Sequence, residues 1–203
     1  MLTDLMLLRV PRWKLRWHAR NWIRHRWREV NFHLLLFLLP VIKLFCPALT
    51  VVHGCLRVRV LHADGTVSDY GVVGRHLVTT AGKNAVASAF NNVMEPETFK
   101  FAGYGTGTNA ANVADTTLQT ELTTQYATDN VRPTGSQANS TNTYTTIATL
   151  APDSGGTIAV TEWGLFTQAA TGGGTLLDRQ VFSAVNLVAG SDSLQTTYVL
   201  TIS

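Results

Sequence analysis

The sequence predicts a mainly β protein: an antiparallel β-sandwich, jelly-roll or immunoglobulin-like, with one short helix and a helical or extended N-terminal anchoring arm before it. Three observations predict this. From residue 55 onward apolar residues recur with period two, in runs separated by Gly, Pro, Asn and Asp rather than by helices. Asp64-Gly65 lies between two such runs, a strong short-range hairpin signal. Charge also divides the chain: residues 1–60 carry eleven Lys/Arg against two acids, net +9, and residues 61–203 carry five against eleven, net −6. A chain of 203 residues holds one ordinary domain plus an extension, so the boundary falls between an arm at 1–54 and a sandwich at 55–203.

The arm opens with a basic stretch, residues 1–29. Pro11 limits any helix before it, whereas 12–30 has no breaker and can be helical. At 100° per residue, Trp13, Trp17, Arg20, Arg24, Trp27 and Arg28 share one face, with Leu15 and Trp22 opposite and Arg26 beside them. Cationic and aromatic groups are therefore interleaved, unlike the apolar and polar halves of an ordinary surface helix. Such a face makes bidentate contacts to carboxylate or phosphate while its rings bury apolar area. The expected partner-binding residues are Arg12, Trp13, Arg16, Trp17, Arg20, Trp22, Arg24, Trp27, Arg28 and Phe37. Three partners fit that chemistry: acidic protein patches, DNA, and anionic lipid head groups.

Residues 30–52 are the most apolar part and long enough to span a bilayer, which takes about 20 residues. His33, Lys43, Pro40 and Pro47 interrupt them, and the longest run without charge or histidine is Leu34–Ile42. A central lysine costs about 2.5–3.5 kcal/mol on insertion scales, so burial against partner proteins is the favoured reading and a membrane anchor the alternative. The basic region is too long for a secretory signal. Cys46 and Cys55 show neither a zinc spacing nor a disulfide framework, and they read as two buried thiols.

The body begins with a hairpin, 56–63 and 66–73, whose two-residue turn would set Arg59 opposite Tyr70 and His62 opposite Val67. Thr79 caps a helix of small residues that runs to Phe90 and stops at Asn91-Asn92. A strand is expected at 98–104, a Gly/Thr/Asn loop at 103–114, and a short helical turn within 115–125. Further strands are expected at 127–133, 142–151, 156–167, 175–186 and 193–203. The last alternates cleanly, with Leu194, Thr196, Tyr198, Leu200 and Ile202 on one face.

The order LVTTAGKNAVASAF, KFAGYGTGTNAANVADTTLQTEL, IAVTEWGLF, GGTLLDRQVF and SLQTTYVLTIS resembles a family of small tailed-bacteriophage structural proteins: tail-fibre, collar or capsid-decoration proteins. The resemblance covers residues 77–203. It implies a β-sandwich that sits on a virion as a homo-oligomer, with trimer the expected state, and no enzymatic chemistry. It also implies partners among other virion proteins of capsid, portal or tail. Residues 1–55 fall outside the pattern, so their contact with those proteins, with DNA or with a membrane rests on the arm chemistry alone.

No motif argues for catalysis or a cofactor. Gly103-Tyr-Gly-Thr-Gly107 lacks the Lys-Ser/Thr and helix of a phosphate loop, and reads as a loop between sheets. His53, His62 and His76 lack a metal-binding spacing, and Asp115, Glu121 and Glu162 are hydrolase candidates only by being acidic. Glu162 and Arg179 are more telling, because each interrupts an apolar strand. A lone charge in a sandwich core is costly, so a mutual pair that fixes strand register is the expected arrangement.

Overall fold

A computed structural model describes residues 52–202 apart from Thr128. The arm residues, Arg12 through Phe37 among them, lie outside the described residues. The described residues form eight strands: β1 (Val52–Leu61), β2 (Val67–Leu77), β3 (Phe101–Gly105), β4 (Ser136–Ser140), β5 (Thr143–Leu150), β6 (Thr157–Phe166), β7 (Leu176–Val188) and β8 (Ser193–Ile202). One helix, α1 (Thr80–Ala89), and a 3₁₀ turn at Pro96–Thr98 separate β2 from β3. Five strands form one sheet in the order β2-β1-β8-β5-β4, and three form the other in the order β3-β6-β7. Every pairing is antiparallel, which gives the expected β-sandwich with its one helix.

Alternation builds the core. Leu56, Val58 and Val60 on β1, and Leu194, Tyr198 and Leu200 on β8, point inward to meet Tyr104, Val160, Trp163, Leu165, Val185 and Leu187 of the smaller sheet. Trp163 packs on Tyr198 with ring centroids 5.1 Å apart. Isolated bridges Val78↔Asp178 and Phe101↔Thr134 join the sheets at their sides, which reduces the unpaired edge the sandwich presents. β4 keeps a ladder on one side only, against β5.

Local chemistry explains where expectation and structure differ. β1 starts at Val52, three residues before the drawn boundary. The hairpin turn is longer than two residues: Gly65 N–H donates to His62 O at 2.9 Å and His62 N–H to Thr66 O at 2.9 Å. Gly65 has φ +82°, and Asp64 Oδ1 accepts from Thr66 N–H at 2.8 Å. This three-residue loop with glycine in the left-handed position shifts the register by one, so Arg59 faces Asp69 and Leu61 faces Val67. Thr79 caps α1 as its sequence implies, accepting from Gly82 N–H at 2.9 Å. The expected strand at 127–133 is absent among its described residues: the chain turns there, with Asp129 N–H bonded to Ala127 O at 3.1 Å and Asn130 at φ +53°, before Arg132 N–H bonds Ala169 O at 2.8 Å. β4 was not expected: its residues, Ser-Gln-Ala-Asn-Ser, are all exposed and show no apolar alternation, yet they pair with β5 across a tight turn. No helix forms within 115–125. Cys55 is free and half-buried rather than buried, on β1 opposite Val199 and Arg75.

Candidate functional site

The polar chemistry of the body concentrates on the outer face of the three-stranded sheet. In register, Gly105 lies opposite Glu162 and Gly103 opposite Gly164, while Gly164 also faces Arg179. The glycines leave that face low, and residues 106–121 cross it as a strap. A Cβ on Gly105 would lie 2.4 Å from Thr120 O and 2.5 Å from Glu162 Oε1, so only glycine lets the strap backbone come this close.

Glu162 is fully buried and is the strap's main fastening. Its Oε1 accepts from Gly107 N–H at 3.0 Å and Thr120 N–H at 2.7 Å, and its Oε2 accepts from Gln119 N–H at 3.0 Å. Arg179 Nε–H and Nη2–H donate to the same Oε2 at 3.0 and 2.7 Å. The structure thus brings together the two charges that interrupt apolar strands, and it adds the strap backbone to them. Arg179 continues outward, donating from Nη1 to Asp115 Oδ2 at 2.9 Å and from Nη2 to Asn109 O at 3.2 Å. Charge-assisted bonds of this kind are short and roughly twice as strong as neutral ones.

A second hub, one that sequence reasoning missed, fixes the far end of the strap. Arg132 is buried, donates from Nη2 to Glu121 Oε2 at 2.9 Å, and donates from Nη1 to Gln168 O at 2.9 Å and Gly173 O at 2.8 Å. Its guanidinium lies 3.5 Å from the centroid of the Phe166 ring. The only local signal for this hub is an arginine directly before Pro133 in an otherwise polar loop. The three acids singled out for hydrolytic geometry, Asp115, Glu121 and Glu162, each face an arginine across a salt bridge.

Inside the sandwich, Asp178 accepts from Tyr198 O–H at 2.9 Å, and burial pushes its carboxyl up to about 8. Tyr104 O–H meets Thr196 Oγ1 at 2.8 Å. Among the described histidines His62 lies apart, since β1 separates it from His53 at the other end, where His76 pairs with Gly54. His62 pairs with Asp192 and Ser68, each at 2.9 Å. Among the described residues no cluster of three or more His, Cys, Asp or Glu has metal-binding geometry, and no helix is long and apolar enough to cross a membrane. A largely apolar cavity of about 390 Å³ lies beside α1, lined by Val86, Phe99, Tyr144, Leu177, Leu200 and Ile202.

The outer face of the larger sheet has a different character. The adjacent strands β8, β5 and β4 contain no Asp, Glu, Lys, Arg or His. Thr145, Ile147, Thr197 and Val199 form its centre, and Arg57, Arg59 and Asp69 form an ion-paired corner on the neighbouring hairpin. No protein-family model matches the chain, and no curated protein matches it.

Proposed function

We propose that this is a bacteriophage virion structural protein, a capsid decoration or cement protein or a short fibre, attached to the particle by its N-terminal arm. The observation that carries this reading is the charge-free sheet face of β8, β5 and β4, which ends at the one-sided strand β4. Natural sheets guard such a face and edge with lysine, proline or inward charges when they stand alone in water. A face with none of these suits packing against neighbouring copies. The buried ion pairs fit the same role, because they fasten loops to the sheet. The charge division supports attachment through the arm: residues 1–54 carry nine Lys/Arg against two acids, net +7, and residues 55–203 carry seven against eleven, net −4.

The test is co-purification. The full chain is mixed with assembled particles and sedimented, beside a version that lacks residues 1–51. The reading expects the full chain in the particle pellet at moderate salt and the shortened chain in the supernatant. Equal recovery of both would remove the arm from attachment. Flotation of the full chain with liposomes at high salt would instead favour a membrane-anchored surface adhesion domain, and DNA retention lost at moderate salt would favour a nucleic-acid-binding arm. Retention on isolated tails but not on heads would favour a tail-fibre, collar or receptor-attachment protein.

A further inference from the structure

The strap at 106–121 is held differently from the sandwich beneath it. Of its side chains only Leu118 is a buried apolar one, set against Phe166 and Leu176. Every other fastening is polar. Its neck is closed by Thr106 N–H to Thr120 O at 2.9 Å and by the Gly105↔Glu121 bridge. Its own bonds hold it as one piece: Gln119 Oε1 accepts from Thr108 N–H at 2.9 Å and Asn109 N–H at 2.8 Å, and Asp115 Oδ2 accepts from Asn112 N–H at 2.8 Å. A segment with few buried apolar contacts and many solvent-facing backbone bonds has a low local opening free energy.

The receiving groups belong to the sheet. Glu162 and Arg179 stand on adjacent strands and bond each other at 3.0 and 2.7 Å whether or not the strap lies over them. Lifting the strap withdraws three N–H donors from Glu162, Asp115 and Asn109 O from Arg179, Gly107 O from the Thr161 hydroxyl and Val113 O from Thr80 N–H, each of which water then replaces. It strands no buried charge: the Glu162–Arg179 pair stays intact, water replaces the strap, and Glu121 stays on the buried Arg132 at the neck, where it pairs with Gly105. The usual penalty for exposing half of a buried ion pair is thereby avoided.

We propose that residues 106–120 form a latch that opens and recloses as one unit over the three-stranded sheet while both sheets stay folded, hinged at the Gly105↔Glu121 bridge and held shut by Glu162. Opening uncovers the apolar strip of Phe101, Phe166 and Leu176 and the Glu162–Arg179 pair.

Amide hydrogen exchange on the full chain, read residue by residue by NMR in low denaturant, tests this. In the unaltered protein the Gly107, Gln119 and Thr120 amides exchange together, at least about 100-fold faster than those of β1 and β8, and with a weaker denaturant dependence. The variant Val58→Ala, in the core away from the strap, speeds β8 exchange about tenfold or more and leaves the strap amides unchanged, because the core is equally intact in the closed and open forms. Glu162→Gln speeds the strap amides about tenfold or more, since its amide nitrogen faces donors where the carboxylate accepted. Strap amides that exchange only with β8 in the unaltered protein, or that follow β8 in Val58→Ala, overturn the latch. An unchanged strap in Glu162→Gln overturns the role of Glu162. Should either variant fail to fold, the denaturant series on the unaltered chain decides alone.

Discussion

Glu162 accepts five hydrogen bonds on two oxygens, three from backbone and two from Arg179. That arithmetic sets the cost of removing it. Glu162→Ala leaves Arg179 beneath the strap with Asp115 as its only remaining carboxylate, and breaking one side of a buried pair costs about 3–5 kcal/mol. Guanidinium denaturation measures the loss as a shift in midpoint at unchanged slope. Replacing Glu162 and Arg179 together with methionine costs less than the sum of the two single changes, because neither charge is then left alone. These two residues were legible in the sequence because each is a charge inside an apolar run. Asp115, Glu121 and Arg132 were not, since an acid or arginine in a polar loop looks the same whether solvated or buried. Only the fold reveals that the loop lies on a sheet.

Single elements show the same limit and its cause. Strands with one buried face announce themselves, so β5 to β8 fall within a few residues of their expected spans. β4 has no buried face, and nothing in Ser-Gln-Ala-Asn-Ser marks it; its existence follows from its pairing with β5. The turn between them carries an identifiable strain, because Thr141 sits at φ +50°. A β-branched residue there costs on the order of 1–3 kcal/mol. Thr141→Gly is therefore expected to raise stability by about 1 kcal/mol, less the bond from its hydroxyl to Ser140 O at 2.8 Å, and a rise in melting temperature reads it out. Gly105→Ala acts oppositely. Its Cβ meets backbone oxygen at 2.4 Å, so the strap must lift or the strand bend, with a loss of about 1–3 kcal/mol in the same assay.

At the scale of the whole molecule, two carboxylates pull the stability curve in opposite directions with pH. Burial raises Asp178 to about 8, so the folded protein keeps a proton that the unfolded chain releases near pH 4. Its contribution is fully present below about pH 4 and lost as pH rises toward 8, at up to about 1.4 kcal/mol per pH unit. Asp69 does the reverse: its bond with Arg57, helped by Gly71 N–H, holds it at about 2, so its contribution is present above about pH 4 and lost as pH falls toward 2. Asp64 and Asp192 are held low as well and add to the acid-side loss. On these four groups alone, stability is expected to be greatest near pH 4–5, between the two opposed declines. Asp178→Asn separates the two sides. Its amide oxygen still accepts from the Tyr198 hydroxyl, so the fold is retained, while the proton release that drives the neutral-side decline is gone. Unfolding free energies from denaturant titrations at pH 3 to 9 should then fall by a few kcal/mol above pH 5 in the unaltered protein and stay nearly level in the variant, with both declining alike below pH 4. A decline above pH 5 that persists in Asp178→Asn would assign that slope to another group.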